Sequence, residues 1–180
     1  MPKDTVLLCS KNGKPCTCGS PEKIKKRRRT FFQDYYPLMI CSIESFNKIK
    51  EMHPKVSHYL TLQTFRPNLI LKNVERPFYE DMFDRFDIVN TTTGSRHAFN
   101  VFLKCPNCTI TNVNVETGTM DEVGILKKLA SWRRVDECNP YYSFFGMYTI
   151  NHEAGYTVKS GEVIDLLSKK CKITDVTPFK

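Results

Sequence analysis

The amino-acid sequence predicts a mainly β domain that carries helices, an α+β fold in which an antiparallel, barrel-like sheet is decorated with two or more helices. Three observations favour this class. Segments of strand length that are apolar or alternate in polarity recur between turn residues along most of the chain. Only two segments show clear helical periodicity. The strands and helices do not follow the regular alternation that a parallel α/β sheet requires.

The basic residues are concentrated at the N-terminal end of the 180-residue chain. Residues 1–30 contain nine lysines and arginines against two acidic residues, so most of the net charge of +8 lies there. The same segment is rich in Lys, Gly, Pro and Ser, which indicates loop. We therefore predict a basic, loop-rich N-terminal segment over residues 1–30 and one folded domain over residues 31–180.

The run from Lys23 to Arg29 is the most strongly basic part of this segment. Such a run can bind phosphate, nucleic acid or an anionic membrane by releasing counterions, although most charge runs are only solvated loops. No apolar stretch reaches the roughly 20 residues that cross a bilayer, and the first residues lack the apolar core of a signal peptide. The sequence therefore predicts a soluble, intracellular chain, with at most a weak polyanion contact through this run.

The first well-ordered elements are predicted after the basic segment. Residues 37–41 form a short apolar run of buried-strand length. Ser42 is a suitable N-cap for a following helix, in which Phe46 and Ile49 lie on one side. This helix is expected to end before Pro54, because proline has no backbone N–H to continue the hydrogen-bond pattern.

A second strand is predicted over residues 68–71, and the chain enters it through Arg66 and Pro67. Proline restricts the residue before it, so we expect an extended backbone at Arg66 that helps to aim its side chain. Residues 80–89 combine acidic and aromatic residues and indicate a turn followed by a strand.

The C-terminal half contains further strands and the clearest helix. Residues 97–104 alternate in polarity, and residues 109–115 carry β-branched side chains with a period of two, so both are predicted as strands. Residues 121–134 have an apolar stripe at helical spacing, with basic residues towards the C-terminal end. Residues 144–150 and 156–167 are predicted to be the closing strands.

Eight cysteines without a secretory signal indicate free thiols and not a disulfide framework. Two pairs are closely spaced, Cys16/Cys18 and Cys105/Cys108. Two thiolates can hold half of a tetrahedral zinc site, but a complete site needs four ligands, and the histidines show no ligand spacing. The alternative is that Cys105 and Cys108 are small buried thiols, which is a common state of free cysteine.

Several short motifs around the second cysteine pair occur in a definite order along the chain. They are Phe65-Arg66-Pro67-Asn68, Tyr79-Glu80-Asp81, Lys104-Cys105-Pro106-Asn107-Cys108-Thr109-Ile110, Val115-Glu116-Thr117-Gly118, Phe145-Gly146-Met147-Tyr148 and Val158-Lys159-Ser160-Gly161-Glu162. This ordered set resembles the MOSC superfamily, and within it the mitochondrial amidoxime-reducing component branch. The resemblance extends from about Phe31 to Leu167, and it implies a MOSC-type β-barrel.

The resemblance also implies roles for five residues. Cys108 corresponds to the family's thiolate ligand of molybdenum, and a soft thiolate suits a metal that the pterin dithiolene already holds. Arg66 and Asn68 correspond to residues that hold the pyranopterin and the phosphate, and Tyr148 corresponds to a tyrosine in the same pocket. Asn107 stands in this cofactor pocket where the family has an arginine, which removes a positive charge beside an anionic cofactor. The residue types alone leave other interpretations open: a surface ion pair for Arg66, a turn for Asn68 and the core for Tyr148.

An activity and a set of partners follow from the same resemblance. Relatives bind the molybdenum cofactor (Mo-molybdopterin) and reduce N-hydroxylated substrates such as amidoximes, with electrons relayed by cytochrome b5 and its reductase. Members of the superfamily are also associated with pyridoxal phosphate, although no lysine here stands in a recognisable Schiff-base context. Relatives carry a preceding β-barrel domain and usually a membrane anchor, for which the sequence before residue 31 leaves no room. A cytoplasmic or mitochondrial location is therefore expected.

Three functions are compatible with these patterns. The first is a molybdenum-dependent oxidoreductase component in which Cys108 tunes the metal. The second is a MOSC-fold binding module that has lost catalysis, which the missing domain and Asn107 both favour. The third is a small zinc-stabilised, polyanion-binding protein built on the two cysteine pairs and the basic run. We rank the hypotheses in this order.

Overall fold

A six-stranded mixed β-sheet curves into a half-barrel and forms the centre of the computed structural model. The structure describes residues 10–11, 14–15, 36–55, 59–121, 124–137, 139–151, 153 and 155–169. The basic run from Lys23 to Arg29, the Cys16/Cys18 pair and nearly all of the predicted N-terminal segment lie outside these residues. Within the described ranges, no helix has the length and apolar character needed to cross a membrane.

Short helices separate the strands along the described chain. The strands are β1 (Ser10–Lys11), β2 (Lys14–Pro15), β3 (Leu38–Ser42), β4 (Leu69–Leu71), β5 (Phe83–Val89), β6 (Arg96–Pro106), β7 (Phe144–Asn151) and β8 (Val163–Lys169). The α-helices are α1 (Ile43–Met52) and α2 (Ile125–Ala130), and the 3-10 helices are Leu62–Phe65, Tyr79–Met82 and Thr109–Asn112. The large sheet has the order β4-β3-β7-β6-β5-β8, and β1 pairs with β2 separately.

The predicted fold class, mainly β with helices, is confirmed. The sheet departs from the antiparallel prediction in one pair, because β3 and β4 run parallel whereas the other neighbouring pairs of this sheet are antiparallel. The connection between β3 and β4 explains the difference. Helix α1 and the loop after it return the chain to the end of the sheet where β3 began, and a crossover of this kind makes neighbouring strands parallel.

Helix α1 begins where the sequence predicts. Ser42 is its N-cap, and its Oγ accepts a hydrogen bond from the backbone N–H of Ser45 at 3.1 Å. Phe46 and Ile49 are buried against the sheet, and the helix ends before Pro54. The cap and the apolar stripe therefore define this helix together.

The predicted strand over residues 109–115 is wrong. The chain forms the 3-10 helix Thr109–Asn112 instead, because local side-chain hydrogen bonds override the β propensity of the segment. Thr111 Oγ1 donates a hydrogen bond to the carbonyl of Cys108 at 2.8 Å. Oδ1 of Asn112 accepts a hydrogen bond at 2.9 Å from the backbone N–H of Leu126, in the first turn of α2. Both bonds turn the chain away from an extended path.

Helix α2 and strand β8 differ from the predicted ranges in length and position. The helix is confined to Ile125–Ala130 within the predicted 121–134. Gly124, at φ 41°, precedes the helix, and Arg133 beyond its end is buried and donates a hydrogen bond to the carbonyl of the first residue of β7. Strand β8 begins late in the predicted range 156–167, after an irregular segment, and ends two residues beyond it.

Gly146 in β7 determines the face of the sheet to which Tyr148 points. In a regular strand Phe145 and Met147 would point to the same face. Gly146, at φ 77°, breaks this alternation. As a result Phe145 and Tyr148 belong to one apolar cluster, and Met147 belongs to the other. A Cβ on Gly146 would lie 2.7 Å from the carbonyl oxygen of Ile40, so a side chain does not fit there.

Candidate functional site

A pocket of about 460 Å³ lies against the half-barrel. Its walls come from β3, from the 3-10 helix Leu62–Phe65 with the residues after it, from the end of β6 with the following loop, and from β7. All five site residues predicted from the sequence line this pocket: Arg66, Asn68, Asn107, Cys108 and Tyr148. The structure therefore brings them together, and their roles in binding remain predictions.

Cys108 offers an accessible thiol to the pocket. It is exposed, and it follows β6 and immediately precedes the 3-10 helix Thr109–Asn112 in an extended conformation with φ −116° and ψ 179°. Its carbonyl accepts hydrogen bonds from the backbone N–H of Thr111 at 3.1 Å and from the hydroxyl of the same residue at 2.8 Å. The chain around the thiol is therefore held, while the sulfur itself is open to a ligand.

The two other cysteines that the structure describes, Cys41 and Cys105, are buried. Cys105 directs its thiol to the carbonyl of Pro106 at 3.8 Å, a weak hydrogen bond. Burial raises the pKa of the Cys41 thiol to about 12, and the Glu80 carboxyl group adds to this effect. Cys41 therefore stays a neutral thiol at physiological pH. Among the three cysteines that the structure describes, Cys108 is the exposed one, which an incoming metal can reach.

The described residues do not provide the ligands that the zinc hypothesis requires. No group of three or more His, Cys, Asp or Glu residues there is arranged to hold a metal ion. In these ranges the hypothesis retains only the pair Cys105 and Cys108, one of them buried. Its second pair lies outside the described residues.

Arg66 has a left-handed backbone, so the predicted extended conformation is wrong. It caps the 3-10 helix Leu62–Phe65 at φ 55° and ψ 43°, and its N–H donates to the carbonyl of Gln63 at 3.0 Å. The following proline disfavours the right-handed helical region at Arg66, and the end of a helix commonly takes the left-handed region. For a residue other than glycine this conformation costs roughly 1–2 kcal/mol. The chain thus presents a guanidinium at the pocket from a position where glycine would be more stable.

Removal of the Arg66 side chain gives a matched pair of variants that separates backbone strain from side-chain function. Arg66→Gly and Arg66→Ala both lose the guanidinium, but only alanine keeps the left-handed strain. We expect Arg66→Gly to be more stable to urea than Arg66→Ala by about 1 kcal/mol. Equal stability of the two variants would show that the left-handed backbone at residue 66 does not lower the unfolding free energy of the alanine variant.

Asn68 joins the pocket wall to the sheet. Its Oδ1 accepts a hydrogen bond from the backbone N–H of Met39 at 2.8 Å, and its own N–H donates to the carbonyl of Met39 at 2.9 Å. The side-chain carbonyl is thus used within the protein. The amide NH₂ group of Asn68 is the part that can donate hydrogen bonds to a ligand in the pocket.

Asn107 is buried, and its amide also bonds within the protein. The backbone N–H and the side-chain Nδ2 both donate to the carbonyl of Ser143, at 2.9 and 3.3 Å. Ser143 precedes β7, so these bonds attach the cysteine loop to that strand. Asn107 therefore anchors the loop, a structural contact that the sequence did not indicate.

Tyr148 reaches the pocket because of the irregularity at Gly146. Its ring is nearly buried and stacks on Tyr36 at 5.3 Å between ring centroids, and Tyr36 in turn stacks on Phe102 at 5.7 Å. The aromatic contacts support the core interpretation of this residue, while its place in the pocket lining keeps the ligand-contact interpretation open. Aromatic packing of this kind fixes the ring orientation.

Sequence reasoning missed two residues that shape the site. Thr111 lines the pocket and bonds to Cys108, but its β-branched side chain was assigned to a strand. Its spacing from the cysteine, three residues, is the signal that indicates a hydroxyl bond back to the carbonyl at the start of a helix. Ser143, the partner of Asn107, carried no signal in the sequence.

The fold is that of a mainly β domain, and the volume of its pocket lies in the range that is usual for small-molecule sites. Of the described residues that line the pocket, Arg66 alone carries a formal charge. A sequence model of the MOSC domain matches residues 27–165, which is more than half of the chain. The protein therefore belongs to the MOSC domain family.

Curated relatives are mitochondrial amidoxime reducing components. The chain is 29% identical over 121 residues to mitochondrial amidoxime reducing component 2 of Homo sapiens, which covers 65% of this chain and 33% of the relative. It is 28% identical over 145 residues to the protein of the same name from Bos taurus, which covers 78% of this chain and 40% of the relative. The matches thus span between a third and two-fifths of the length of these relatives.

Proposed function

We propose that the chain binds the molybdenum cofactor and serves as an oxidoreductase component that reduces N-hydroxylated substrates. The observation that carries the proposal is the exposed thiol of Cys108 in the same pocket as the guanidinium of Arg66. The family of the chain and the names of its relatives support the same function. Cytochrome b5 and its reductase are the proposed electron donors, and the location is proposed to be mitochondrial or cytoplasmic.

The residues of the pocket fit this cofactor by their chemistry. A thiolate from Cys108 is a soft ligand of the kind that suits molybdenum in a sulfur environment. The guanidinium of Arg66 can bind a phosphate through two parallel hydrogen bonds, and the amide of Asn68 can donate to a pterin. When bound, the cofactor supplies a metal that accepts an oxygen atom from the substrate and electrons from the donor protein.

Each residue then has a limited task. Cys108 would hold the metal through its sulfur as a thiolate, the form in which cysteine binds metals. Arg66 offsets negative charge and orients the ligand, and the hydroxyl of Tyr148 donates one hydrogen bond from the wall of the pocket. None of these side chains is proposed to attack the substrate.

Elemental and pterin analysis tests the proposal. The full chain is purified from a host that makes molybdenum cofactor and from a matched host that cannot make the pterin. We expect stoichiometric molybdenum, together with fluorescent pterin after oxidation, in the first preparation only. Absence of both from the first preparation would contradict the proposal.

One observation favours a second candidate, a MOSC-fold binding module without catalysis. By its resemblance to the family, the chain has Asn107 where relatives have an arginine, and the Asn107 amide bonds to the carbonyl of Ser143. Among the pocket-lining residues that the structure describes, Arg66 alone carries a formal charge. A pocket with one cation attracts an anionic cofactor less strongly than a pocket with two. Bound pterin and molybdenum without reduction of any N-hydroxylated compound, in the presence of the electron donors, would favour this second candidate.

A further inference from the structure

Thr111 restrains the residue that carries the accessible thiol. The carbonyl of Cys108 accepts two hydrogen bonds from Thr111, one from its N–H at 3.1 Å and one from its hydroxyl at 2.8 Å. The N–H bond belongs to the 3-10 helix and would form with most residues in this place. The hydroxyl bond requires serine or threonine. It is therefore the part of the contact that depends on the side chain.

Thr111 is buried, so its hydroxyl depends on a hydrogen-bond partner within the protein. The residue is 5% exposed, although it lies three positions from an exposed cysteine and lines the same pocket. A buried hydroxyl needs a partner, and the carbonyl of Cys108 is the acceptor at this short distance. Valine, which has nearly the same shape, would fill the space without the bond.

Cys108 is thus held from both sides. Before it in the chain, the backbone and side chain of Asn107 donate to the carbonyl of Ser143. After it, Thr111 holds the carbonyl of Cys108 itself. The direction of a carbonyl sets ψ of its residue, and ψ together with φ determines where the Cα–Cβ bond points relative to the neighbouring peptides. Anchors on both sides therefore restrain the direction of the Cα–Cβ bond of Cys108, from which rotation about χ1 places the sulfur.

We propose that Thr111 is a positioning residue whose hydroxyl orients Cys108 for metal binding. The inference deepens the proposed function and rests on it, because orientation of the thiol matters most when a metal must be bound. Outer partners that orient a metal ligand typically contribute 10-fold to 100-fold to metal affinity. The hydroxyl of Thr111 is an outer partner of this kind, although it bonds to the backbone carbonyl of Cys108 and not to the sulfur.

Thr111→Val and Thr111→Ser form the matched test pair. Valine keeps the volume and the N–H bond and removes the hydroxyl, whereas serine keeps the hydroxyl. In protein from a cofactor-producing host, we expect Thr111→Val to lose molybdenum and pterin about tenfold faster than wild type during dialysis. Thr111→Ser is expected to lose them at a rate close to wild type. Thermal unfolding confirms that each variant is folded, and Thr111→Ala replaces the valine variant if that variant does not fold.

A second readout separates this proposal from the function on which it rests. The rate of alkylation of Cys108 by iodoacetamide is measured in cofactor-free protein at one fixed pH, with the modified peptide identified by mass spectrometry. We expect the rate for Thr111→Val to differ from wild type, because the carbonyl of Cys108 loses one of its two hydrogen bonds, and the rate for Thr111→Ser to match wild type. If wild type binds no cofactor, the proposed function fails, and alkylation alone decides the role of Thr111. Wild-type behaviour of Thr111→Val in this assay, or equal defects in both variants, would overturn the positioning role.

Discussion

Replacement of Cys108 by alanine is expected to remove nearly all molybdenum from protein made in a cofactor-producing host, while the fold is retained. The residue is exposed at the pocket, so its truncation leaves no cavity in the core. Loss of a residue that only orients a metal ligand typically costs about 10-fold to 100-fold in affinity. Loss of the ligand itself is expected to cost more than this.

Cys105→Ala is the matched control for this prediction. Cys105 lines the same pocket three positions earlier, but it is buried and directs its thiol to the carbonyl of Pro106. This variant is expected to retain molybdenum and to lose about 1–2 kcal/mol of unfolding free energy. Elemental analysis and urea unfolding of both variants make the comparison. A full molybdenum content in Cys108→Ala would show that another group holds the metal.

Gly146→Ala is expected to cause the largest loss of stability, about 2–5 kcal/mol of unfolding free energy. The glycine has φ 77°, and an added Cβ would lie 2.4 Å from Cε of Met39 and 2.7 Å from the carbonyl oxygen of Ile40. Relief of the contact requires β7 to move away from β3. Because the same irregularity turns Tyr148 towards the pocket, cofactor retention is expected to fall as well.

Gly94→Ala provides the control for the cost of positive φ alone. Gly94 has φ 71°, and an added Cβ there has no heavy atom within 4 Å. We expect this variant to lose about 1 kcal/mol in urea unfolding, from backbone strain without a collision. If the two variants lose the same free energy, the close approach of β3 and β7 contributes nothing to the cost.

The strands of the half-barrel could be predicted from the sequence because their patterns are local. An apolar run located β3, alternation located β6, and Ser42 marked the start of α1. The parallel pairing of β3 with β4 could not be predicted, since it depends on the path of the chain between them. The strand prediction for residues 109–115 was wrong because hydroxyl and amide side chains in this segment form hydrogen bonds with the backbone. The β propensity of the residues does not account for such bonds.

The candidate site was predicted from family resemblance and not from spacing. Cys108 and Arg66 are distant in the sequence, and the residue types alone do not indicate that they share a pocket. The left-handed backbone of Arg66 could not be predicted from Pro67 alone, because proline disfavours only the right-handed helical region and the end of the 3-10 helix favours the left-handed one. Gly146 appeared in a family motif, yet its effect on the direction of Tyr148 follows only from the broken alternation in β7.

X-ray absorption at the molybdenum edge of cofactor-loaded protein tests the central claim most directly. We expect molybdenum to have one sulfur neighbour from Cys108 in addition to the two sulfurs of the pterin dithiolene. In any residual loaded Cys108→Ser protein this extra sulfur should be absent. Molybdenum bound in wild type by the dithiolene sulfurs alone would contradict the assignment of Cys108 as the metal ligand.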